Sequence, residues 1–366
     1  MWKGKLFDSC LSTGQQGYVD AEKVLYPDGV EVIDCALGTN PLGMPPSLRE
    51  VLRNAVDVSL CEYPDPLADN LRESIAAHYP SWNVRSEHII AWSGSMGILV
   101  NLFRLLIGPG TASAGFSPQF TDGVLQGLYT GAAYHPVRLS SPGYTLSPAG
   151  LESALEEGVS LLYIDRPHNP TGQVLPLEEL DRLARLALEK GCWVLSDEAY
   201  GDFMDEGESA ALLDLPNIVT CRSFSKGRGA AGIRVGYAVT RNAELASALL
   251  TLQPPFASGT LDTILAEAAL QDSFYLEKSR RYVLTAKEKI LQGVEKKKDV
   301  TAADTDLRVP ILLLSQKTGD LVRRLADQGI SCESGEGFFD LDNRSVRLRV
   351  PSPPQLEEFL LRIEGM

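Results

Sequence analysis

Short apolar runs alternate with amphipathic segments through the first two thirds of the chain. Three of these runs end in polar residues and predict buried strands, over residues 89–92, 161–164 and 192–196. Residues 177–189 carry apolar side chains at helical spacing between the second run and the third. Because strands alternate with helices, we predict an α/β fold with a mostly parallel sheet flanked by helices, and polar side chains where the strands end.

The pattern changes after residue 252, where two consecutive prolines interrupt a helical segment. A long helical stretch is predicted beyond them, over residues 260–292. A strand, a helix and a strand are predicted to follow, over residues 309–314, 321–328 and 346–350. We therefore predict an N-terminal segment that packs with the small domain, a large domain and a smaller C-terminal α/β domain, over residues 1–45, 46–252 and 253–366.

Composition limits the kinds of partner. The chain has 366 residues, of which 44% are hydrophobic, and a net charge of −14. The negative charge argues against nucleic acid or an anionic membrane surface as a partner. We find no apolar stretch near the roughly 20 residues of a membrane span and no apolar region of a signal peptide at the start, so we expect a cytoplasmic protein. The six cysteines and four histidines lack the spacing of a disulfide framework or a metal site, so no metal is expected.

Lys226 lies in a segment, residues 223–237, that is rich in glycine and hydroxyl side chains. Ser223 and Ser225 precede the lysine and Arg234 follows it. Glycines allow a backbone to approach a bulky charged group closely. A lysine amine can hold an aldehyde cofactor as a Schiff base, while arginine and hydroxyl groups bind the phosphate of that cofactor. This combination is what pyridoxal 5′-phosphate (PLP) requires.

Three further motifs lie earlier in the chain, each where a predicted strand ends. They are Gly94-Ser95-Met96, Asn169 in an Asn-Pro-Thr-Gly turn, and Asp197 with Tyr200. The first of them opens a predicted helix, and the backbone N–H groups at a helix start can bind a phosphate. Because parallel strands end at one edge of a sheet, we expect all three motifs to lie near Lys226.

With Asn40-Pro41-Leu42-Gly43 and Tyr63-Pro64-Asp65-Pro66, these motifs resemble the fold-type I PLP enzymes, the class I/II aminotransferase superfamily. The resemblance spans nearly the whole chain. The Asn40 and Tyr63 motifs are most similar to the branch of histidinol-phosphate aminotransferase and threonine-phosphate decarboxylase. The resemblance implies a PLP-dependent enzyme that acts on an L-α-amino acid, with transamination as the expected reaction, and a homodimer.

The resemblance also implies a role for each cofactor residue. Lys226 would carry PLP and then move protons, and Asp197 would keep the pyridine nitrogen protonated. Asn169 and Tyr200 would hydrogen-bond the ring oxygen, and Phe120 would stack on the ring. The phosphate would be bound by Gly94, Ser95, Met96, Ser223, Ser225, Arg234 and the partner subunit's Tyr63.

Four residues are expected to contact the substrate: Gly38, Asn40, Glu333 and Arg347. Arg347 is similar in position to the arginine that binds the substrate α-carboxylate, and its planar guanidinium suits a carboxylate. Glu333 falls where relatives commonly place an arginine that binds an anionic tail. A carboxylate there would repel a phosphate and attract a cation.

The sequence departs from the branch at two other places. Gly123 replaces a tyrosine three positions beyond Phe120, and the His-Gly-Gly type element of the decarboxylases is replaced near residues 12–14. Two alternatives to transamination therefore stay open. One is a PLP-dependent lyase, cyclase or decarboxylase of a basic, guanidino amino acid, which Glu333 would suit. The other is a non-enzymatic PLP-binding regulatory module, which the presence of Lys226, Asp197 and Arg347 argues against.

Overall fold

The computed structural model describes residues 24–366, in which the strands form sheets of seven, four and two strands. The strands are β1 (Ile33–Asp34), β2 (Ile89–Ser93), β3 (Ala112–Ser117), β4 (Ala133–Arg138), β5 (Leu161–Asp165), β6 (Trp193–Glu198), β7 (Ile218–Ser223), β8 (Val235–Val239), β9 (Val300–Ala302), β10 (Ile311–Gln316), β11 (Ile330–Ser331), β12 (Glu333–Ser334) and β13 (Ser345–Arg349). The helices are α1 (Pro46–Asn54), α2 (Asp69–His78), α3 (Gly94–Leu106), α4 (Thr121–Tyr129), α5 (Pro148–Glu156), α6 (Leu177–Glu189), α7 (Ala243–Leu252), α8 (Thr260–Gln271), α9 (Ser273–Glu295), α10 (Leu321–Asp327) and α11 (Leu356–Gly365).

The large sheet has seven strands in the order β2-β8-β7-β6-β5-β3-β4. The pairs among β3 to β7 are parallel, and β8 is antiparallel to both β2 and β7. The predicted α/β fold with a mostly parallel sheet is confirmed. In this register Asp165 on β5 lies opposite Asp197 on β6.

Helices cover both faces of this sheet, and the side chains of β5 show why. Leu161 and Tyr163 belong to one hydrophobic core, which includes residues of α3. Leu162 and Ile164 belong to another core, which includes residues of α6. Successive side chains of a strand point to opposite faces, so a strand that is buried on both faces reads as a continuous apolar run.

The C-terminal sheet is antiparallel, in the order β12-β13-β10-β9, and packs with α9 and α11. The short strand β1 pairs with β11, and Ile33 and Cys35 enter the same core, which places this N-terminal segment against the C-terminal part. The helical stretch predicted over residues 260–292 is two helices, because the chain breaks at Asp272, whose side chain caps α9. Helix α8 packs against α1 and α2 of the large part. The division of the chain into domains stays a prediction.

Within residues 24–366, every helix is too short or too polar to cross a membrane. The same residues contain no group of three or more histidine, cysteine or acidic side chains that could hold a metal ion. The predicted departure near residues 12–14 lies outside the described residues.

Candidate functional site

Lys226 lies beyond the end of β7, whose neighbours are the carboxyl end of β6 and the start of β8. Its Nζ atom is 5.3 Å from the centroid of the Tyr200 ring. Gly38 approaches both side chains from the N-terminal segment. A Cβ atom on Gly38 would overlap the Tyr200 hydroxyl and lie 3.1 Å from Lys226 Nζ. The structure therefore brings Gly38, Tyr200 and Lys226 together, and only glycine fits at position 38 without movement of its neighbours.

Asn40 contacts the backbone of the lysine segment. Its Nδ2 atom donates to the carbonyl oxygens of Lys226 at 3.2 Å and of Gly227 at 2.9 Å, and to Ser279 Oγ at 2.8 Å. Its Oδ1 atom accepts from Leu42 N at 3.0 Å and from Ser279 Oγ at 3.1 Å. These contacts position Lys226 from the N-terminal segment and α9. The expected contact of Asn40 with substrate stays a prediction.

Asp197 is buried at the end of β6, with 4% of its surface exposed. Its Oδ1 atom accepts from Ala199 N at 3.1 Å and its Oδ2 atom accepts from the Tyr163 hydroxyl at 3.2 Å. Burial raises the pKa of Asp197 to about 6, against the opposing effect of its hydrogen bonds and of the charge of Lys226. Asp197 therefore favours a cationic partner, such as a protonated ring nitrogen.

The start of α3 and Arg234 form a site suited to an anion. Gly94 opens the helix with a φ of 71°, and a Cβ atom on it would lie 2.8 Å from Arg234 Nη2. Arg234 Nη1 also donates to Ser225 Oγ at 3.3 Å. A Cβ atom on Gly236 would overlap the backbone nitrogen of Ser95, so β8 and the start of α3 are in close contact. Helix N–H groups, a guanidinium and a hydroxyl are the donors that a phosphate requires, so the predicted residues fit the phosphate of PLP.

The other residues predicted to contact the phosphate or the ring include Ser223, Met96 and Phe120. Ser223 Oγ accepts from Ser225 N at 3.1 Å, and Met96 lies in the first turn of α3. Phe120 precedes α4, and its backbone nitrogen donates to Asp165 Oδ2 at 2.9 Å. The stacking of Phe120 on a ring stays a prediction.

Arg347 on β13 is fully buried and contacts the turn that follows β5. Its Nη1 atom donates to Asn169 Oδ1 at 3.3 Å, and its Nη2 atom lies 3.2 Å from Glu333 Oε2. Glu333 is its partner in the antiparallel pairing of β12 with β13. The side chain of Glu333 is 16% exposed. The structure thus places Glu333 next to the arginine that was predicted to bind the substrate carboxylate.

Tyr63 lies apart from this group, on the surface. It is 81% exposed, and its ring stacks on Phe256 with 4.5 Å between the ring centroids. Tyr163 and Asp165, by contrast, lie beside Asp197 and were missed in the sequence. Asp165 had the same signal as Asp197, an acidic residue at the end of a buried parallel strand.

Comparisons with known proteins identify the family of the chain. A model of the family described as aminotransferase class I and II matches residues 30–363. Histidinol-phosphate aminotransferase of Nitratidesulfovibrio vulgaris is 30% identical over 269 residues, which are 72% of this chain and 70% of that protein. Aspartate aminotransferase of Sulfurisphaera tokodaii is 28% identical over 292 residues, which are 75% of this chain and 73% of that protein. The crystal structure of histidinol-phosphate aminotransferase from Sinorhizobium meliloti in complex with PLP has the same fold, with a TM-score of 0.81, 21% identity, and coverage of 92% of this chain and 90% of that one.

These matches confirm the family, the enzyme class and the PLP cofactor that the motifs predicted. They favour transamination over the lyase, cyclase or decarboxylase alternative. The chain belongs to the class I and II aminotransferase family and is a PLP-dependent transferase.

Proposed function

We propose that this aminotransferase takes the amino group of an L-α-amino acid with a neutral or cationic side chain, and that Lys226 carries its cofactor. The observation that carries the proposal is the pair of charges near Tyr200, whose ring lies beside Lys226. Buried Arg347 can bind a carboxylate, and Glu333 adds a negative charge 3.2 Å from it. The α-carboxylate of the substrate would bind the guanidinium, whereas an anionic side chain would bring a second negative charge toward Glu333.

The residues that would hold PLP follow from the site. Asp197 would face the ring nitrogen, and Tyr200 and Asn169 the ring oxygen. Lys226 would accept and return a proton at the substrate α carbon, a task that an amine performs when it is held next to the reacting atom. When bound, PLP supplies an electron-withdrawing ring to the bond that breaks at that carbon.

The phosphate of the cofactor would lie at the start of α3. Helix N–H groups attract an anion, and Arg234 and Ser225 already contact each other beside them. The donors come from the backbone of residues 94–96 and from the side chains of Ser95, Ser223, Ser225 and Arg234. Phe120 would cover one face of the ring.

The reaction can be tested without a second substrate. The PLP-loaded protein is mixed with one L-amino acid at a time, with no 2-oxo acid acceptor present. An aminotransferase should release one equivalent of 2-oxo acid per site and then stop until an acceptor is added. Continued turnover without an acceptor would instead support the lyase or cyclase reading and would overturn the proposal.

Glu333→Gln is expected to lower the preference for cationic over anionic substrates by on the order of tenfold, which corresponds to about 1.4 kcal/mol. The change removes the negative charge next to Arg347 and keeps the shape of the side chain. The measurement is kcat/KM for L-arginine, L-leucine and L-glutamate. Glu336→Gln is the matched control, since Glu336 is an exposed carboxylate in the same segment. Equal preferences in the two variants would place the substrate tail away from Glu333.

We also propose that a second copy of the chain covers the surface around Tyr63. Exposed apolar side chains gather in and after α1, namely Leu52, Val56, Leu60 and Tyr63, with Phe256 stacked on the last. A cavity of about 310 Å³ next to α1 is lined by residues that include Met44, Leu52, Ser225 and Gly232. It would admit the partner subunit's Tyr63 to the phosphate residues. Apolar patches of this kind commonly mark protein contacts.

Val56→Asp is expected to convert this dimer to monomers and to weaken PLP binding. Val56 is 85% exposed, so the charge should not disturb the fold of one subunit and should act only on a contact between subunits. Sedimentation velocity gives the oligomeric state. Leu361→Asp, at a 63% exposed position in α11, serves as the control. If both variants sediment like the unmodified protein, the face around Val56 is not the subunit contact.

A further inference from the structure

His168 lies in the turn after β5, directly before Asn169, and is completely buried. Its Nε2 atom lies 2.8 Å from the carbonyl oxygen of Pro118, in the turn after β3. Its Nδ1 atom lies 2.8 Å from Thr171 Oγ1. The ring of Phe116 packs edge-on against the imidazole, with 6.3 Å between the ring centroids. The site described above leaves this histidine without a role, although both of its ring nitrogens have polar partners.

The partner of Nε2 decides where the ring hydrogen lies. A carbonyl oxygen can only accept, so the Nε2 atom of His168 must carry a hydrogen and donate it to Pro118. The contact of Nδ1 can be made in two ways. A neutral ring accepts a hydrogen bond from the Thr171 hydroxyl, whereas a cationic ring donates one to it. The other hydrogen bonds of Thr171 distinguish the two forms.

Thr171 Oγ1 already accepts two hydrogen bonds from Gln173, one from the backbone nitrogen at 3.3 Å and one from Nε2 at 3.1 Å. The orientation of the Gln173 amide is itself fixed, because its Nε2 donates to Tyr144 O at 2.7 Å and its Oε1 accepts from Leu146 N at 3.1 Å. A hydroxyl oxygen has two lone pairs, and here both are occupied. Thr171 can therefore only donate to the imidazole, which is neutral and has its hydrogen on Nε2.

The backbone of His168 closes the turn that carries Asn169. Its nitrogen donates to Gln173 O at 2.8 Å, and its carbonyl oxygen accepts from Gly172 N at 2.7 Å. The turn is thus held at its base by the same residue whose side chain reaches the turn after β3.

We propose that His168 is a positioning residue that, in its neutral form with the hydrogen on Nε2, holds the turn that carries Asn169 against the turn that carries Phe120. Pro118, which accepts the hydrogen bond, lies two residues before Phe120. Asn169 Oδ1 accepts from Arg347 Nη1 at 3.3 Å, so the link extends to the arginine assigned to the substrate carboxylate. That the two turns contact a cofactor ring rests on the proposed function. The ring hydrogen of His168 and the link between the turns do not depend on it.

The surroundings of the imidazole agree with this assignment. Burial lowers the pKa of His168 to about 4, against the opposing effect of its hydrogen bond to Pro118. The ring is therefore neutral near pH 7, as the hydrogen bonds of Thr171 require.

The ring hydrogen can be observed by proton–nitrogen NMR spectroscopy of the full-length protein with isotopically labelled histidine, without PLP. Well above the pKa of about 4, His168 should show a hydrogen on Nε2 and none on Nδ1. The other histidines of the chain are His78, His88 and His135, so replacing each of these with glutamine assigns the signal even if no variant at position 168 folds. A hydrogen on Nδ1 of His168 would overturn the proposal. Because this readout needs no cofactor, it is independent of the proposed function.

The link between the turns is tested by two substitutions at position 168. The amide of His168→Gln can reach as far as Nε2 and still donate to Pro118 O, whereas the shorter His168→Asn can only accept from Thr171. The asparagine variant should bind PLP about tenfold more weakly, since it leaves a buried carbonyl oxygen without its donor, and the glutamine variant should retain most of the affinity. The readouts are the dissociation constant of PLP and the visible circular dichroism of the bound cofactor, which reports its orientation.

Asn217→Ala is the matched control for loss of a buried hydrogen bond. Asn217 lies before the start of β7, and its Nδ2 atom donates to the carbonyl oxygens of Ala184 and Cys192, both at 3.0 Å. The control should lower thermal stability and leave PLP binding unchanged. Equal losses of PLP affinity in His168→Asn and Asn217→Ala, or equal affinities in the two variants of His168, would overturn the link. Absence of PLP binding in the unmodified protein would instead overturn the proposed function, and the NMR result would then decide this inference alone.

Discussion

Lys226→Ala is expected to abolish covalent retention of PLP and to lower turnover at least about 10³-fold, because one amine is assigned both the bond to the cofactor and the proton transfer. Lys226 Nζ lies beside the Tyr200 ring and close to the backbone of Gly38, which has no side chain. The readouts are the visible absorbance of the lysine-bound cofactor and the mass of the peptide around residue 226 after borohydride reduction. Only the second readout identifies the residue.

Lys226→Arg distinguishes the effect of the positive charge at position 226 from the effect of the reactive amine. The guanidinium keeps the positive charge near Asp197, but it cannot be deprotonated and cannot take over the amine's reaction. Both variants should therefore lose covalent retention, while binding of free PLP survives better in the arginine variant. If reduction labels a different lysine in the unmodified protein, the assignment of Lys226 is wrong.

Arg347→Lys is expected to lower kcat/KM for L-amino acids by about 10²-fold or more, which is the low end of what truncation of a buried, hydrogen-bonded charge costs. An ammonium lacks the planar pair of donors that a carboxylate accepts. It would also lose the simultaneous contacts to Asn169 and Glu333. Steady-state kinetics with an L-amino acid and with the corresponding amine that lacks the carboxylate measure the effect.

Arg349→Lys is the matched control for this change. Arg349 lies two residues further along β13, is also buried, and donates to the carbonyl oxygens of Leu37 and Val350. It should affect thermal stability more than substrate choice. An equal loss of rate for the amine and the amino acid in Arg347→Lys would mean that Arg347 maintains the fold and does not bind the carboxylate.

The parts of the fold that were predicted correctly are those with strong apolar runs. Strands β5 and β6 and helix α6 were predicted because their buried positions give a continuous or periodic pattern of apolar residues in the sequence. Strands β3 and β4 were missed. The first contains small residues, Ala-Ser-Ala-Gly, and the second is an edge strand that contains Pro136, so both have weak strand propensity.

For the site as well, residues within one motif could be predicted from the sequence, whereas contacts between distant segments could not. Lys226 and Asp197 lie in motifs whose residues are adjacent in the chain, so the sequence alone was enough to propose them. The contact of Asn40 with the Lys226 backbone and that of Glu333 with Arg347 depend on how distant segments meet. The register of β12 against β13 places Glu333 beside Arg347, and no spacing rule could have established it. Tyr163 looked like an ordinary core residue because its hydroxyl partner, Asp197, lies on a different strand.

The glycine at position 123 has a consequence for engineering. A designer who wished to transfer the hydrogen bond between the Tyr163 hydroxyl and Asp197 to another aminotransferase could not do so by introducing the tyrosine alone, because a Cβ atom at position 123 would overlap its hydroxyl. The order of substitution matters as well. If the tyrosine hydroxyl were introduced before the glycine, it would collide with α4, whereas the glycine first leaves only a small void. The glycine and the tyrosine therefore have to be moved together, with the glycine introduced first.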